Sequence, residues 1–269
     1  MKRLKIVFLL IAALTLTACQ GSTDEEAGTA ANDEAAAQTE QTEETVETEE
    51  AVKEVKPIVY DIDPTKPVIA LTFDDGPNTT TTNEVLDVLE KYQVKASFFL
   101  IGNNINEESA KAVKRAYDLG CEIDNHSKSH SYMNQMEADE IKEETDFVTE
   151  KVREITGEPT KFFRPPYIAV NKTMYDNIDM PFICGIGCDD WNQNVTVDLR
   201  VVGIEGQIED GAIILLHDVE GNSQTVEAID RIIPDLLEEG YQFATVSELF
   251  EAKGIEISAD DSNLYTIVG

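Results

Sequence analysis

With 269 residues, 53 Asp and Glu against 21 Lys and Arg, and a formal net charge of −32, the chain has room for one domain of roughly 200 residues plus appendages. So acidic a surface repels phosphate backbones and no basic stripe offsets it, which excludes nucleic acid as a partner. A neutral substrate, or a product that becomes cationic, suits this field better.

Residues 1–18 read as a signal. Lys2, Arg3 and Lys5 precede an apolar run from Ile6 to Leu16 that is shorter than the roughly 20 residues a membrane-spanning helix needs. Leu16-Thr17-Ala18-Cys19 resembles a lipobox. That implies cleavage before Cys19, lipidation of this cysteine, and a protein held outside the cytoplasm on a membrane by its acyl chains. Residues 19–56 follow with Glu, Thr, Ala and Gln and almost no large apolar side chains. Such a composition cannot bury enough surface to offset chain entropy, so it predicts an acidic, disordered tether. As a coil, about 37 residues span roughly 35 Å root-mean-square, enough to hold a domain clear of a membrane. Residues 57–269 carry the folded domain and −25 of the net charge.

From Pro67 onward short apolar runs alternate with helical patterns. Strands are predicted over 67–73, 96–102, 121–125, 161–164, 182–187, 212–217 and 241–246. Helices are predicted over 80–92, 107–119, 138–155 and 225–239, from apolar residues at i, i+3 and i+4. The stretch 197–208 is ambiguous. Strand–helix alternation implies an α/β fold with a largely parallel sheet, open or closed into a barrel. The C-terminal ends of such strands form the working end, and there Asp74-Asp75, His126, Arg164 and His217 gather. Beyond Cys19, three cysteines remain: Cys121, Cys184 and Cys188. Cys184 and Cys188 would lie roughly 13 Å apart on one strand, too far for a disulfide, so three buried, inert thiols are expected.

The chain holds three histidines. His126 and His130, four apart, would place both rings on one side of a single turn, a common metal-chelating spacing. Two imidazoles and one carboxylate leave coordination positions open, as in catalytic zinc sites, although non-haem iron oxygenases use the same donors. Adjacent aspartates then make sense. A carboxylate held by a dication is a poor base, so a hydrolase needs one aspartate on the metal and a second, free one to take a proton from water. His217 suits a general acid, a third metal ligand being the alternative. Asp190 could favour its imidazolium form. Arg164 could orient the free aspartate or make a surface ion pair, and Trp191, the lone tryptophan, could simply pack in the core.

TFDDGP (72–77), HSKSH (126–130), RPPY (164–167), DDW (189–191) and LLHD (215–218), in this order, resemble the five motifs of the polysaccharide deacetylases, the NodB-like domains of carbohydrate esterase family 4. The resemblance covers about residues 60–250 and places residues 57–269 as that domain. It implies a distorted (β/α) barrel of about seven parallel strands. It implies Asp74 as base, Asp75, His126 and His130 as ligands of one divalent ion, zinc foremost, and His217 as acid. Arg164 and Asp190 would tune base and acid, the Tyr167 backbone N–H would donate to the oxyanion, and Trp191 and Leu215 would wall an acetate pocket. The expected substrate is an N-acetylated glycan, peptidoglycan or a chitin-like oligosaccharide. O-acetyl ester hydrolysis on xylan and non-catalytic glycan binding are the alternatives. Ile168, Gly187, Cys121 and Asp124 depart from the family pattern without removing a catalytic residue.

Overall fold

The computed structural model describes residues 55–258 and 262–269. The signal, Cys19 and the tether as far as residue 54 lie outside the described residues. At the centre runs β1 (Val68–Asp74), buried along its whole length. Parallel neighbours flank it: β2 (Ser97–Leu100) on its second half, β5 (Ile213–His217), and β6 (Gln242–Ala244) on its first half. β3 (Glu122–Asn125) pairs with β2. From β3 the pairing continues through single bridges, Asn125 to Phe163, Phe163 to Phe182 and Ile186 to Ile214. That path returns to β5, so the strands close into a distorted parallel barrel with a thinly paired arc.

The thin arc is where the sequence reading needs correction. Residues 161–164 do not form a strand. The N–H groups of Lys161 and Phe162 turn to the carboxylate of Asp124, at 3.2 and 3.1 Å, instead of a ladder, and two prolines follow Arg164. Residues 182–187 shrink to β4 (Phe182–Ile183), which pairs with a strand the sequence did not reveal, β7 (Leu264–Tyr265). Among the described residues a strand count of seven is therefore reached with a different membership.

Seven α-helices are described: α1 (Thr81–Tyr92), α2 (Ser109–Asp118), α3 (Ala138–Thr156), α4 (Lys172–Asn177), α5 (Val197–Glu205), α6 (Ser223–Glu238) and α7 (Val246–Ala252). The ambiguous stretch is thus helical. Reciprocal capping boxes start α3, through Glu137 and Glu140, and α7, through Thr245 and Glu248, satisfying N–H groups that have no partner inside the helix. Pro234 lies inside α6 and cannot donate to Asp230 four residues back. That carbonyl accepts from the Tyr92 hydroxyl of α1 at 2.9 Å instead.

Alternation along β1 sorts the core. Ile69, Leu71 and Phe73 face a cluster shared with Val85, Leu89, Val113, Ile229 and Ile232 of the helices. Val68 and Ala70 face the barrel interior with Phe99, Phe162 and Ile213. Continuing by twos, Thr72 and Asp74 share that interior face, so the barrel changes from apolar to polar toward its C-terminal end.

Candidate active site

Asp74 ends β1 at 2 % exposure, in register with His217 at the end of β5. Its Oδ1 accepts from Arg164 Nη1 at 2.6 Å. Arg164 is fully buried, donates also to Thr72 Oγ1 at 2.8 Å and to the Cys184 carbonyl, and lies 4.1 Å over the Phe99 ring. Burial pushes the Asp74 carboxyl up, but Arg164, helped by His126 and His217, overrides it and holds the group below its ordinary value. Asp74 is therefore an ionised carboxylate at neutral pH.

Asp75 follows with φ 74°, leading into the cis Gly76-Pro77 bond. A side chain at position 76 would meet the Asp218 carboxylate at 2.6 Å, so only glycine fits the turn. The Asp75 Oδ1 atom is buried and has no hydrogen-bond partner. Facing it are His126 Nε2 at 3.5 Å and His130 Nε2 at 3.4 Å. His126 Nδ1 lies 2.7 Å from the Arg164 carbonyl. A carbonyl only accepts, so this nitrogen carries the proton and Nε2 presents its lone pair. Burial, reinforced by His126, depresses the His130 pKa, which favours a neutral imidazole. The two rings do not share a helical turn as their spacing suggests. Left-handed residues Ser127 and His130, at φ 67° and 55°, bring their centroids to 4.9 Å in a loop.

The ligand atoms of Asp75, His126 and His130 lie within 4.8 Å of one another. An orphaned buried carboxylate oxygen facing two imidazole nitrogens is costly without a cation and fits a divalent ion with mixed nitrogen and oxygen ligands. His217 stands opposite. Its Nδ1 lies 2.7 Å from Asp190 Oδ1 and its backbone N–H donates to Asp190 Oδ2 at 2.8 Å. Burial disfavours its charge, but the Asp190 hydrogen bond prevails and lifts the pKa to about 9.

Nine of the ten residues assigned above to catalysis, substrate and metal line one cavity of about 560 Å³; the tenth, Arg164, lies beneath Asp74. Trp191 is 60 % exposed on the cavity wall, so it is no core residue. Strain gathers here as well. Among the described residues seven non-glycine residues have positive φ, and five of them line this cavity: Asp75, His130, Tyr167, Ile168 and Asp189. Such conformations persist where the surroundings enforce them, commonly at functional sites.

Residues 61–180 match the family model for polysaccharide deacetylase. The chain is 52 % identical, over 188 residues, to a bifunctional xylanase/deacetylase of Pseudobutyrivibrio xylanivorans, covering 70 % of this chain and 31 % of that protein. It is 36 % identical to the peptidoglycan-N-acetylmuramic acid deacetylase PdaC of Bacillus subtilis, over 71 % of this chain and 40 % of that protein. A solved family 4 acetyl xylan esterase from Clostridium thermocellum, in complex with a cobalt ion, superposes with a TM-score of 0.73 at 40 % identity, covering 75 % of this chain and 98 % of that one. The chain belongs to the polysaccharide deacetylase family. It spans about a third to two fifths of the length of the two curated relatives.

Within this family member the departures from pattern acquire positions. Ile168, β-branched, sits at φ 55°, a region such side chains avoid. Gly187 borders the cavity with room for a side chain, since an added Cβ would meet only the Leu215 carbonyl, at 3.6 Å. Asp124 is buried and tied to the Lys161 and Phe162 amides. Cys121 is buried, whereas Cys184 and Cys188 are only half-buried, contrary to expectation. Cys188 lines the cavity, and burial with Asp190 nearby pushes its thiol up to about 12, so it stays protonated. Sequence reasoning also missed Tyr132, stacked on Tyr167 at 4.1 Å and half exposed, and Thr225, which donates to Asp190 Oδ2 at 2.6 Å. Tyr132 lies two residues past His130, a signal that could have found it. Thr225 had none.

Proposed function

We propose that this chain is a metal-dependent hydrolase that removes N-acetyl groups from N-acetylhexosamine residues of a glycan outside the cytoplasmic membrane. Peptidoglycan is the polymer, and Cys19 anchors the protein to the membrane through its acyl chains. The observation that carries the reading is the opposition of an ionised carboxylate and a charged imidazole, Asp74 on Arg164 and His217 on Asp190, across one cavity that also holds Asp75, His126 and His130. Bound by those three residues, zinc or a similar divalent ion would polarise the acetyl carbonyl and acidify water.

The chain's own groups then divide the proton work. The acetyl group enters against Trp191 and Leu215, and the Tyr167 backbone N–H donates to the carbonyl oxygen as charge develops there. Asp74, fixed by Arg164, takes the proton of the attacking water. His217 keeps its Nδ1 proton on Asp190 and gives the Nε2 proton to the departing nitrogen. Amines leave only when protonated, and an imidazole that stays charged up to pH about 9 supports amide cleavage.

The Pseudobutyrivibrio and Clostridium relatives favour a second reading, O-acetyl ester hydrolysis on xylan by the same groups. Acetate release from N-acetylglucosamine oligomers and peptidoglycan, measured beside acetylated xylo-oligosaccharides on zinc-loaded protein, separates the two. Release from esters alone would sink the amide reading, and release from neither would leave a glycan-binding protein.

A further inference from the structure

Behind Asp190 lies a charged side chain that the mechanism above does not use. Arg200 on α5 is fully buried, while its neighbours Leu199 and Val202 are 59 % and 67 % exposed. The helix buries this arginine beside Val201 and Ile204 while leaving two apolar residues exposed, against what burial energies favour. The guanidinium donates from Nε to the Val195 carbonyl at 2.9 Å and from Nη2 to the Asn192 carbonyl at 3.4 Å. Nη1 donates to Asn222 Oδ1 at 2.6 Å and to Thr225 Oγ1 at 2.7 Å. All four acceptors are neutral. The carboxylate tied to this set is Asp190, one hydroxyl away.

A guanidinium can only donate, and that fixes the polarity of everything beyond it. The Thr225 hydroxyl must accept from Arg200, so its hydrogen is committed to Asp190 Oδ2, at 2.6 Å. The Asn222 amide must turn its oxygen to Arg200, so its NH2 group faces the carbonyls of His217, at 3.0 Å, and Asp190, at 3.3 Å. Both ends of the Asp190–His217 pair are held by groups whose orientation Arg200 dictates. Its contacts to Asn192 and Val195 pin the chain just past Trp191.

The geometry points to Arg200 as a positioning residue that aims Asp190 at His217 through Thr225 and Asn222, and whose buried charge partly neutralises that carboxylate so that His217 can release its proton. The inference rests on the reading of His217 as the acid. The other titratable groups that act on His217 and Asp190 are Asp74 and Asp75 at the end of β1, His130 after β3, and Cys188 beside Asp190. The variants below leave all of them in place.

Three histidines give three imidazole signals, so NMR titration of the full chain reads His217 directly, whatever the turnover. Arg200→Met removes the charge and keeps the bulk. The Asp190 carboxylate then acts on His217 without its counter-charge, and the titration midpoint should rise by about one pH unit. The tighter-held proton should lower kcat roughly tenfold, with KM within about twofold. Arg200→Lys restores the charge without the fork, so its midpoint should return to within about half a unit of wild type while kcat stays reduced. If Arg200→Met does not fold, Thr225→Val cuts the link with Arg200 in place, and its midpoint should rise by a smaller amount. A midpoint that stays or falls in the folded variants overturns the inference, because a purely structural loosening of Asp190 would lower it. A raised midpoint with unchanged acetate release would instead remove His217 from the acid role and leave the Arg200 network standing.

Discussion

Replacing Asp190 by asparagine should move the alkaline limb of the pH–rate profile by more than two units. In the native protein His217 is lifted from 6.5 to about 9, against its own burial, by the Asp190 hydrogen bond and charge, with Asp74 and Asp75 assisting. That rise of about 2.5 units corresponds to roughly 3 kcal/mol favouring the imidazolium. Asparagine keeps the shape but removes the anion, leaving burial opposed only by the two more distant carboxylates. The midpoint should then fall to about 6.5 or below. At pH 7.5 the protonated fraction drops from about 97 % to about 10 %, so acetate release should fall roughly tenfold there and much less near pH 5.5. Stability follows the same sign. A raised folded-state pKa contributes stability fully below about 6.5 and loses it as pH rises through about 9, so the variant should melt lower than wild type in acid and approach it in alkali. Acetate release and melting temperature measured from pH 5 to 10 test both. A limb that stays near 9 would refute the pairing as the cause of the shift.

The two aspartates should fail differently: Asp75→Ala should lose bound metal, while Asp74→Asn should keep it and lose roughly 10²–10⁴-fold in turnover; metal content measured beside acetate release decides, and the reverse pattern would exchange their roles. Arg164→Met leaves burial to dominate Asp74, so the acid limb should move to higher pH, and an unmoved limb would remove Arg164 from that role. Trp191→Ala should raise KM several-fold with a smaller change in kcat, since it removes a cavity wall and no proton carrier. Cys19→Ser should abolish lipid labelling and membrane attachment, and labelling that persists would refute the lipobox assignment.

How far the sequence could be read depended on whether a residue's role was local. His126, His130 and the adjacent aspartates announce themselves by type and position after strands, the resemblance singles out Asp75, and the structure brings the ligand atoms of Asp75, His126 and His130 together. Strand–helix alternation identified the parallel sheet, because β1, β2, β3, β5 and β6 are buried on both faces or nearly so, and its closure into a barrel came from the family resemblance alone. The arc from 161 to 187 was not legible. At its start the Lys161 and Phe162 N–H groups go to a side chain, Asp124, which no hydrophobic pattern reports. α5 was ambiguous for a related reason. Val197, Val201 and Ile204 form its inward stripe at i, i+4 and i+7, but Arg200 is buried beside them while Leu199 and Val202 stay exposed, which blurs the pattern. Polar interactions between distant segments cut across the hydrophobic pattern in both places.

Adjacent aspartates at a strand end pose a geometric difficulty as well as an electrostatic one. Successive side chains of a strand point to opposite faces, so if Asp74 faces the barrel interior with Thr72, Asp75 should face the helices with Phe73. It does not, because the backbone leaves the extended region at that residue, with φ 74°. Aspartate tolerates this conformation better than most side chains, and Asn104 secures it by donating to the Asp75 carbonyl at 2.8 Å. The Gly76 carbonyl then accepts from Ile101 at 2.8 Å, tying the turn to the end of β2. One left-handed residue thus lets neighbouring carboxylates enter the same cavity from the same strand while remaining chemically unlike. Asp74 has a guanidinium as its fixed partner, and Asp75 keeps a buried oxygen free. Two aspartates two apart would share the interior face without strain, but the second would then lie a residue deeper or higher along the strand, away from His126 and His130. Adjacency with a reversed φ brings both carboxylates into one cavity, as the proposed division into base and metal ligand requires.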